Sequence, residues 1–252
     1  MPEAMLAARG ITRRFGGLVA VDNVSLELHR GTVHAVIGTN GAGKSTLINI
    51  LSGELAASAG EVLFEGRDIT AWPQPQRARG GLGRSYQRST IFPALSVYEN
   101  CRLAAQAGRQ QFWRWWRRAA DCPHSAERAR HALERTGLAG SAALAAGLLP
   151  HGHKRQLEIA MCLAGHPRVL LLDEPLAGMG PEETERILGL LQDLKTEHAI
   201  LLVEHDMDAV FGNADIITVM VNGAAIACGT PAQIRANAEV QNAYLGDDAC
   251  TH

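Results

Sequence analysis

The chain has 252 residues, with 24 Lys and Arg against 26 Asp and Glu, and a formal net charge of −2 at pH 7. This balance gives no global electrostatic reason to expect a nucleic-acid partner, so any polyanion must be bound locally. The five cysteines are scattered and form no CxxC pair, which argues against a disulfide framework or a zinc site and favours a reducing compartment. The N-terminus lacks the regions of a signal peptide, and the longest apolar stretch, residues 142–149, is too short to cross a bilayer.

Strand and helix patterns alternate along most of the chain. The first predicted strands are residues 5–8, 24–28, 33–37 and 61–64, and a helix is predicted from Lys44 to residue 51. Residues 90–164 are rich in Ala, Arg, Leu and Gln without alternation, which predicts an inserted helical lobe. Beyond it the predicted strands are residues 169–172, 199–203 and 216–221, with an amphipathic helix over residues 182–194. This order predicts an α/β fold with a mostly parallel sheet covered on both faces.

A glycine-rich loop lies between the predicted strand 33–37 and the helix that begins at Lys44. It reads GTNGAGKS over residues 38–45 and matches the phosphate-loop pattern GxxxxGK[ST] in the required strand–loop–helix context. Its N–H groups would face a polyphosphate, Lys44 would neutralise the β- and γ-phosphates, and Ser45 would ligate Mg²⁺. A chance glycine turn is the alternative, which Lys and Ser in register disfavour. The predicted nucleotide-binding residues are Gly38, Asn40, Gly41, Ala42, Gly43, Lys44, Ser45 and Thr46.

Two carboxylates follow the apolar run 169–172. In an open α/β sheet, ligands bind at the carboxyl ends of the strands, where Asp173 and Glu174 are predicted to lie. Asp173 is expected to hold Mg²⁺ through water, and Glu174 is expected to polarise the water that attacks the γ-phosphate. Such a pair is more often a helix cap, but the phosphate loop favours the catalytic interpretation.

With these motifs in this order, the chain resembles the nucleotide-binding subunits of ATP-binding cassette (ABC) transporters over nearly its whole length. The resemblance implies a P-loop NTPase (RecA-like) core with an N-terminal antiparallel β-subdomain and an inserted α-helical subdomain, all within one domain of residues 1–252. It divides that domain into an ATP-binding core (1–88 and 165–235), a helical lobe (89–164) and a C-terminal helical tail (236–252). It also implies that ATP is the nucleotide and Mg²⁺ the cofactor.

The resemblance assigns roles to three further residues. Phe15, in RFGGLVAVDNVSLEL, falls where the family has an aromatic that stacks on adenine, although a core Phe in a β-meander would read the same way. Gln87, in GRSYQRSTIFPALSVYEN, resembles the catalytic glutamine that links the metal and the attacking water to the helical lobe. His205, in LLVEHDM, resembles the catalytic switch histidine that hydrogen-bonds the γ-phosphate, whereas a lone His at a strand end is usually structural.

The signature segment of the family, LSGGQ, is altered here to LPHGH (residues 149–153). In the family this segment reaches the γ-phosphate of ATP held by a second subunit in a head-to-tail pair. Pro150, His151 and His153 replace the serine, the first glycine and the glutamine. Proline offers neither a hydroxyl nor an N–H group, but it suits the first turn of a helix, so the helix N-terminus persists. The resemblance therefore implies a weakened contact in trans, made by the helix N-terminus at Gly152 and by the His153 ring. A metal pair of the two histidines is the alternative, with no third ligand evident.

A second departure is Gly180, in AGMGPEE (residues 177–183), where most family members have an aspartate. Four segments resemble the branch of the family that serves importers of branched-chain amino acids and urea-type amides. They are this loop, FGGLVAVDNVSLEL, VEHDM and the tail 229–248. The implied partners are two transmembrane permease subunits, a second ATPase subunit, either a copy or a paralogue, and indirectly a periplasmic solute-binding protein. The implied location is cytoplasmic, on the inner face of the cell membrane.

Three other classes compete with this interpretation. They are an ATPase of lipid or lipopolysaccharide export, a soluble cassette ATPase of translation or DNA repair, and a small-molecule P-loop kinase. The soluble class usually has two cassettes or a long coiled coil, and the kinase would not explain Gln87, Gly152 and His205 together. The run QFWRWWRR (residues 111–118) suits a bilayer interface or an aromatic-lined partner groove, and equally a helix that packs its tryptophans inside its own lobe.

Overall fold

A computed structural model of the chain describes residues 4–87, 90–107 and 122–245, so the run 111–118 lies outside the described residues. In chain order the strands are β1 (Leu6–Phe15), β2 (Leu18–Leu28), β3 (Val33–Gly38), β4 (Ala59–Phe64), β5 (Arg67–Asp68), β6 (Leu82–Arg84), β7 (Val169–Asp173), β8 (Ala199–Val203), β9 (Ile216–Val221) and β10 (Ala224–Gly229). The helices are α1 (Lys44–Ser52), α2 (Gln74–Gly80), α3 (Val97–Ala107), α4 (Pro123–Arg135), α5 (His151–Ala164), α6 (Pro181–Lys195), α7 (Met207–Asn213), α8 (Pro231–Arg235) and α9 (Ala238–Leu245).

The larger sheet has the strand order β10-β9-β3-β8-β7-β6. All neighbours in it are parallel except the edge pair of β9 and β10, which is antiparallel. Every residue of β3, β7 and β8 is buried, as expected for parallel strands covered on both faces. The predicted α/β class with a mostly parallel sheet is therefore confirmed.

The register of the central strands brings three loops to one edge of this sheet. Val203, the last residue of β8, pairs with Val36 on one side and with Asp173 on the other. The segments that follow β3, β7 and β8 therefore leave the sheet side by side. These segments contain the phosphate loop (residues 38–45), Glu174 and His205.

The smaller sheet is antiparallel, with the order β2-β1-β4-β5. Its first two strands are much longer than the predicted 5–8 and 24–28, because they run on as a hairpin in which Phe15 pairs with Leu18. The predicted ends were wrong for two reasons: the outer part of β1 contains the polar residues Thr12, Arg13 and Arg14, and the outer part of β2 is apolar but mostly only partly buried, so neither shows a clear alternating pattern. The buried faces of this sheet and α1 share one hydrophobic core.

Three helices, α3, α4 and α5, lie between β6 and β7 in the chain and pack against one another. Short 3₁₀ turns at Ala139–Ser141 and Ala146–Leu148 join α4 to α5. This helical lobe has its own small-residue core, formed by Val97, Cys101, Ala105, Ala129, Ala132, Leu133, Leu138, Ala146, Leu149, Leu157, Ala160 and Ala164. Within the described part of the chain, no helix is long and apolar enough to span a bilayer.

Candidate functional site

The phosphate loop leads from the end of β3 directly into α1. Gly43 is the N-cap of α1 and has φ 96°, a left-handed conformation that favours glycine. A Cβ atom at Gly43 would also lie 2.3 Å from the carbonyl oxygen of Ala20. No side chain caps the helix, so its first-turn N–H groups point away from α1 without an intrahelical acceptor. The geometry is that of an anion cradle at a helix N-terminus.

Lys44 is buried at the base of this cradle. Its Nζ donates to the carbonyl oxygens of Gly38, at 2.6 Å, and Thr39, at 3.1 Å. Burial lowers the pKa of Lys44, and the nearby carboxylates of Glu174, Asp173 and Glu204 oppose that fall. The sheet edge therefore combines one buried ammonium group with three carboxylates. Around it Ser45, Asn40 and Gly41 are exposed, Thr46 is half-buried and Ala42 is buried.

Asp173 ends β7 with its side chain buried. Its N–H donates to Ser85 Oγ at 3.3 Å, and its Oδ2 lies 3.6 Å from Arg84 Nη2. Burial raises the pKa of Asp173, while Arg84 and Lys44 oppose the rise. The buried Asp173 carboxylate and the Ser45 hydroxyl both offer hard oxygen atoms, which Mg²⁺ prefers. At phosphate sites Mg²⁺ binds only a few protein groups and takes its other ligands from phosphate and water. The two residues fit Mg²⁺ in their donor chemistry.

Glu174 has an unusual backbone conformation, with φ 48° in a residue that is not glycine. Its N–H donates to the carbonyl of Val203 at 2.9 Å, and its Oε2 accepts a hydrogen bond from Gln87 Nε2 at 2.9 Å. The structure thus brings together Gln87 and Glu174, which are 87 residues apart in the chain. A strained backbone held by its surroundings is typical of functional positions.

His205 follows β8 at the same edge of the sheet. Its ring is 59% exposed, and its backbone N–H donates to the carboxylate of Glu204 at 3.2 Å. An exposed ring at a strand end contributes little to the core. The ring is therefore available to a ligand at this edge.

Phe15 lies in the smaller sheet, at the tip of the β1–β2 hairpin. Its side chain is 46% exposed, so it does not serve the core, and the guanidinium carbon of Arg13 lies 4.6 Å from its ring centroid. One face of the ring is therefore covered by a cation. The exposed remainder offers a flat apolar surface.

The signature segment (residues 149–153) leads into α5. Pro150 is the N-cap of α5, one residue before the first helical turn in which it was predicted. Gly152 is buried, and a Cβ atom there would lie 2.5 Å from Oε1 of Glu183 in the same chain. His151 Nε2 donates to the carbonyl of Ala177 at 3.2 Å. The hydrogen bonds of the described residues thus tie this segment to the loop after Glu174, not to the phosphate loop of the same chain.

Three buried polar residues of the site were not predicted. Arg84 contacts Asp173, Glu204 accepts two backbone N–H groups, and Arg155 of α5 donates to the carbonyls of Tyr86 and Gln87. Arg84 is the last residue of β6, and Glu204 directly follows the apolar strand β8. A charged residue is unusual at such positions, and this sequence feature could have indicated both. Arg155 has no comparable feature in the sequence, because an arginine near a helix start is normally solvated.

The fold and the phosphate loop define a nucleotide-binding domain of the P-loop type. The ABC transporter family model matches residues 21–177. A second model, described as Branched-chain amino acid ATP-binding cassette transporter, matches residues 226–250. The chain therefore belongs to the ABC transporter family.

Similar proteins align along the full chain. The high-affinity branched-chain amino acid transport ATP-binding protein LivG of Salmonella typhimurium is 40% identical, covering 98% of this chain and 100% of its own. The corresponding protein BraF of Pseudomonas aeruginosa is 39% identical with the same coverage. A nucleotide-free ATP-binding cassette from an ABC transporter has a TM-score of 0.86 at 30% identity, covering 96% of this chain and 98% of its own. The ADP conformation of the cassette MJ1267 has the same TM-score and identity, covering 96% and 99%.

Proposed function

We propose that this chain is the ATP-hydrolysing subunit of an importer for branched-chain amino acids or related small amides such as urea. The observation that carries the hydrolytic part is the Gln87–Glu174 hydrogen bond, which holds a carboxylate beside the phosphate loop. The transported class is supported by the tail match over residues 226–250 and by the names of LivG and BraF. An exporter of lipid or lipopolysaccharide is the remaining alternative.

The residues of one chain would bind ATP and prepare its γ-phosphate. Phosphate oxygens would accept hydrogen bonds from the N–H groups at the start of α1, and Lys44 would turn from the Gly38 and Thr39 carbonyls to the β- and γ-phosphates. Ser45 and Asp173 would hold Mg²⁺, with Gln87 nearby as a further oxygen donor. Bound there, Mg²⁺ would neutralise charge on the β- and γ-phosphate oxygens.

Glu174 would act on the attacking water. The water oxygen forms a bond to the γ-phosphorus, the bond from that phosphorus to the β–γ bridging oxygen breaks, and ADP and phosphate leave. Glu174 would take the proton of this water and return it to solvent after the phosphate leaves, Gln87 would fix the carboxylate, and the exposed His205 ring would donate to a γ-phosphate oxygen. These roles agree with an active site at the carboxyl ends of β3, β7 and β8.

A second subunit would complete the site from the other side of the nucleotide. The N–H groups of His151, Gly152 and His153 are in the first turn of α5, with no side-chain cap. Pro150 has no N–H to offer, so the trans contact would depend on these backbone donors and on the half-buried His153 ring. Because Gly152 packs against Glu183, its own lack of a side chain serves the packing of α5 on α6.

An exposed apolar surface on the helical lobe would bind the permease. Leu148 is 77% exposed, and Phe92, Leu95 and Leu144 lie close to it, because Gly147 bonds to Pro93 and Ala146 bonds to Leu95. Four of the six large exposed hydrophobic side chains in the described residues belong to this permease-facing surface (Phe92, Leu95, Leu144 and Leu148). Contiguous exposed apolar side chains mark interaction sites. This binding would hold the subunit at the inner face of the cell membrane.

The test is ATP hydrolysis by the chain assembled with its permease in lipid vesicles. Glu174→Gln should lower kcat by at least about a hundredfold while ATP binding persists, because the amide cannot take a proton from water. Lys44→Ala should lose ATP binding, and Glu61→Gln, on the smaller sheet, serves as the matched control. Full hydrolysis by Glu174→Gln would refute the proposed base.

The same vesicles separate the importer from the exporter. Turnover should rise when a branched-chain amino acid with its binding protein is added on the side away from the ATPase. Stimulation by lipopolysaccharide or lipid alone would instead favour export.

A further inference from the structure

Glu204 is a buried carboxylate for which the proposed chemistry has no use. It directly follows β8, its residue is 0% exposed, and it lies between the catalytic loop of β7 and His205. A buried carboxylate is costly to desolvate unless hydrogen bonds compensate it. Its position beside the site and its complete burial raise the question of what it stabilises.

The two carboxylate oxygens of Glu204 accept N–H groups from two loops, the loop after β7 and its own loop after β8. Oε1 accepts the N–H of Leu176 at 2.9 Å, and Oε2 accepts the N–H of His205 at 3.2 Å. Leu176 is two residues beyond Glu174, in the turn closed by the Ala177 N–H on the Glu174 carbonyl at 3.2 Å. One side chain therefore joins the turn that carries Glu174 to the residue that carries the imidazole.

The turn after β7 needs such support. Glu174 has φ 48°, a conformation that side chains disfavour, and its N–H is fixed by Val203 of β8 at 2.9 Å. The Leu176 N–H is the next described donor that this turn directs to the β8 segment. Without an acceptor at Leu176 the turn would be held to β8 by fewer bonds, and the strained residue could relax.

We infer that Glu204 is a positioning residue that fixes the turn of Glu174 and the backbone of His205 in one arrangement. This inference rests on the proposed hydrolytic function of those two residues. Glu204 does not touch substrate, because both oxygens are engaged with backbone donors and the residue is buried. Burial raises the pKa of Glu204, and the two N–H donors oppose that rise. The carboxylate thus acts through the geometry of its neighbours.

Two substitutions separate bridging from charge. Glu204→Gln keeps the length, but an NH₂ donor replaces one of the two acceptor oxygens, and that donor cannot accept from the N–H group that faces it. Glu204→Asp keeps the charge, but the side chain is one methylene shorter, so it cannot reach the Leu176 N–H and keep its bond to the His205 N–H. The matched control is Glu197→Gln, an exposed carboxylate just before the other end of β8 that pairs with Arg135.

The first measurement is ATP hydrolysis by the assembled transporter. Both Glu204 variants should lose about tenfold in kcat with little change in the ATP affinity of the isolated chain, because one buried N–H loses its acceptor. Glu197→Gln should keep wild-type kcat. If Glu204→Asp retained wild-type kcat, charge alone would suffice and the bridging role would be overturned.

The second measurement needs no activity. Hydrogen exchange of the full chain should speed up about tenfold in peptides that cover residues 174–178 and 204–206 of both variants, and remain unchanged over α1. Unchanged exchange at residues 174–178 would overturn the inference. If the wild-type complex hydrolysed no more ATP than Lys44→Ala, the proposed function would fail, and the exchange result would still decide whether Glu204 joins the two loops.

Discussion

Phe15 presents a flat ring with one face already occupied. The Arg13 guanidinium lies over that ring and also donates to the carbonyl of Ala56 at 3.0 Å, so the cation is anchored. Contact of this kind restricts the ring and leaves a single face for a purine. The β1–β2 hairpin thus offers a stacking platform, which agrees with the proposed adenine contact.

Substitution of Phe15 tests that platform. We expect Phe15→Ala to weaken ATP binding by the isolated chain about tenfold, because base–aromatic stacking contributes about 1–3 kcal/mol. Phe15→Trp should retain affinity. The measurement is isothermal titration calorimetry with ATP and with inorganic tripolyphosphate, which has no base. An equal loss for both ligands would show that the hairpin, not stacking, had been damaged.

Leu18→Ala is the matched control for this experiment. Leu18 pairs with Phe15 across the hairpin and is even more exposed, but it has no aromatic face. Its substitution should leave both affinities unchanged. A loss as large as that of Phe15→Ala would contradict the stacking role.

Residues of the site differ in how far sequence could predict them. Lys44, Asp173 and Glu174 belong to motifs whose chemistry depends on neighbours in the chain, so a pattern of letters predicts where they lie. Glu204 and Arg155 act through partners that are 28 and about 70 residues away, which only the strand order and helix packing bring into contact. Their contacts therefore depend on the fold, and no pattern of neighbouring residues predicts them.

Helix α1, which follows the phosphate loop, is bound at its far end by a residue from α2. Arg77 is buried, and its guanidinium donates at 2.8 Å to the carbonyls of Ile50 and Leu51 in the last turn of α1, of which the Ile50 carbonyl also accepts the Gly53 N–H. It also donates to Thr70 and Trp72. Burial lowers the pKa of Arg77 to about 10. One fork of donors therefore ends α1 and fixes α2 beside it.

Replacing that fork should destabilise the domain. We expect Arg77→Lys to lower the free energy of unfolding by about 3 kcal/mol, because an ammonium group cannot satisfy all four carbonyls in one geometry. Urea unfolding of the isolated chain measures this change. Arg79→Lys, exposed in the same helix, should have little effect. Equal stability of the two variants would contradict the role of Arg77.

Elements that were not predicted from the sequence, such as α2, β6 and β10, lack a strong apolar pattern. α2 begins after Pro73 and ends at Gly80, next to Gly81; these residues are typical of turns, and Arg77 bonds the helix to the carbonyls of Ile50 and Leu51. β6 has three residues and β10 reads AAIACG, so neither has a strong apolar pattern. Both are formed by pairing with a neighbouring strand. β7, β8 and β9 were predicted because burial on both faces requires continuous apolar runs.

The permease-facing surface proposed above lies on the helical lobe, whereas the proposed nucleotide site lies at the edge of the parallel sheet. The segments of that surface are joined by hydrogen bonds from Val97 to Leu144 and from Ala146 to Leu95. A partner that binds there would contact the lobe close to where the chain passes from Gln87 into α3. A short length of chain therefore connects the permease-facing surface to Gln87 at the proposed nucleotide site.

A charge at the centre of this surface should weaken assembly. We expect Leu148→Asp to lower the affinity of the chain for permease in detergent micelles by about tenfold or more, because an unpaired carboxylate would be desolvated at the contact. ATP binding by the isolated chain should not change, since Leu148 is exposed and outside the core. Leu18→Asp, on the smaller sheet, is the control for assembly. Normal copurification of Leu148→Asp would show that the permease binds elsewhere.

Arg155 connects the helical lobe to the hydrogen-bonded pair of Gln87 and Glu174. Its Nη1 and Nη2 donate to the successive carbonyls of Tyr86 and Gln87 at 3.0 and 2.8 Å, and the Gln87 amide in turn bonds to Glu174. A movement of α5 would therefore be transmitted to the backbone at Gln87 and would shift the Gln87 carboxamide relative to the Glu174 carboxylate. Under the roles proposed for Gln87 and Glu174, a permease that shifts α5 would change the rate of hydrolysis through one guanidinium group, without moving the phosphate loop.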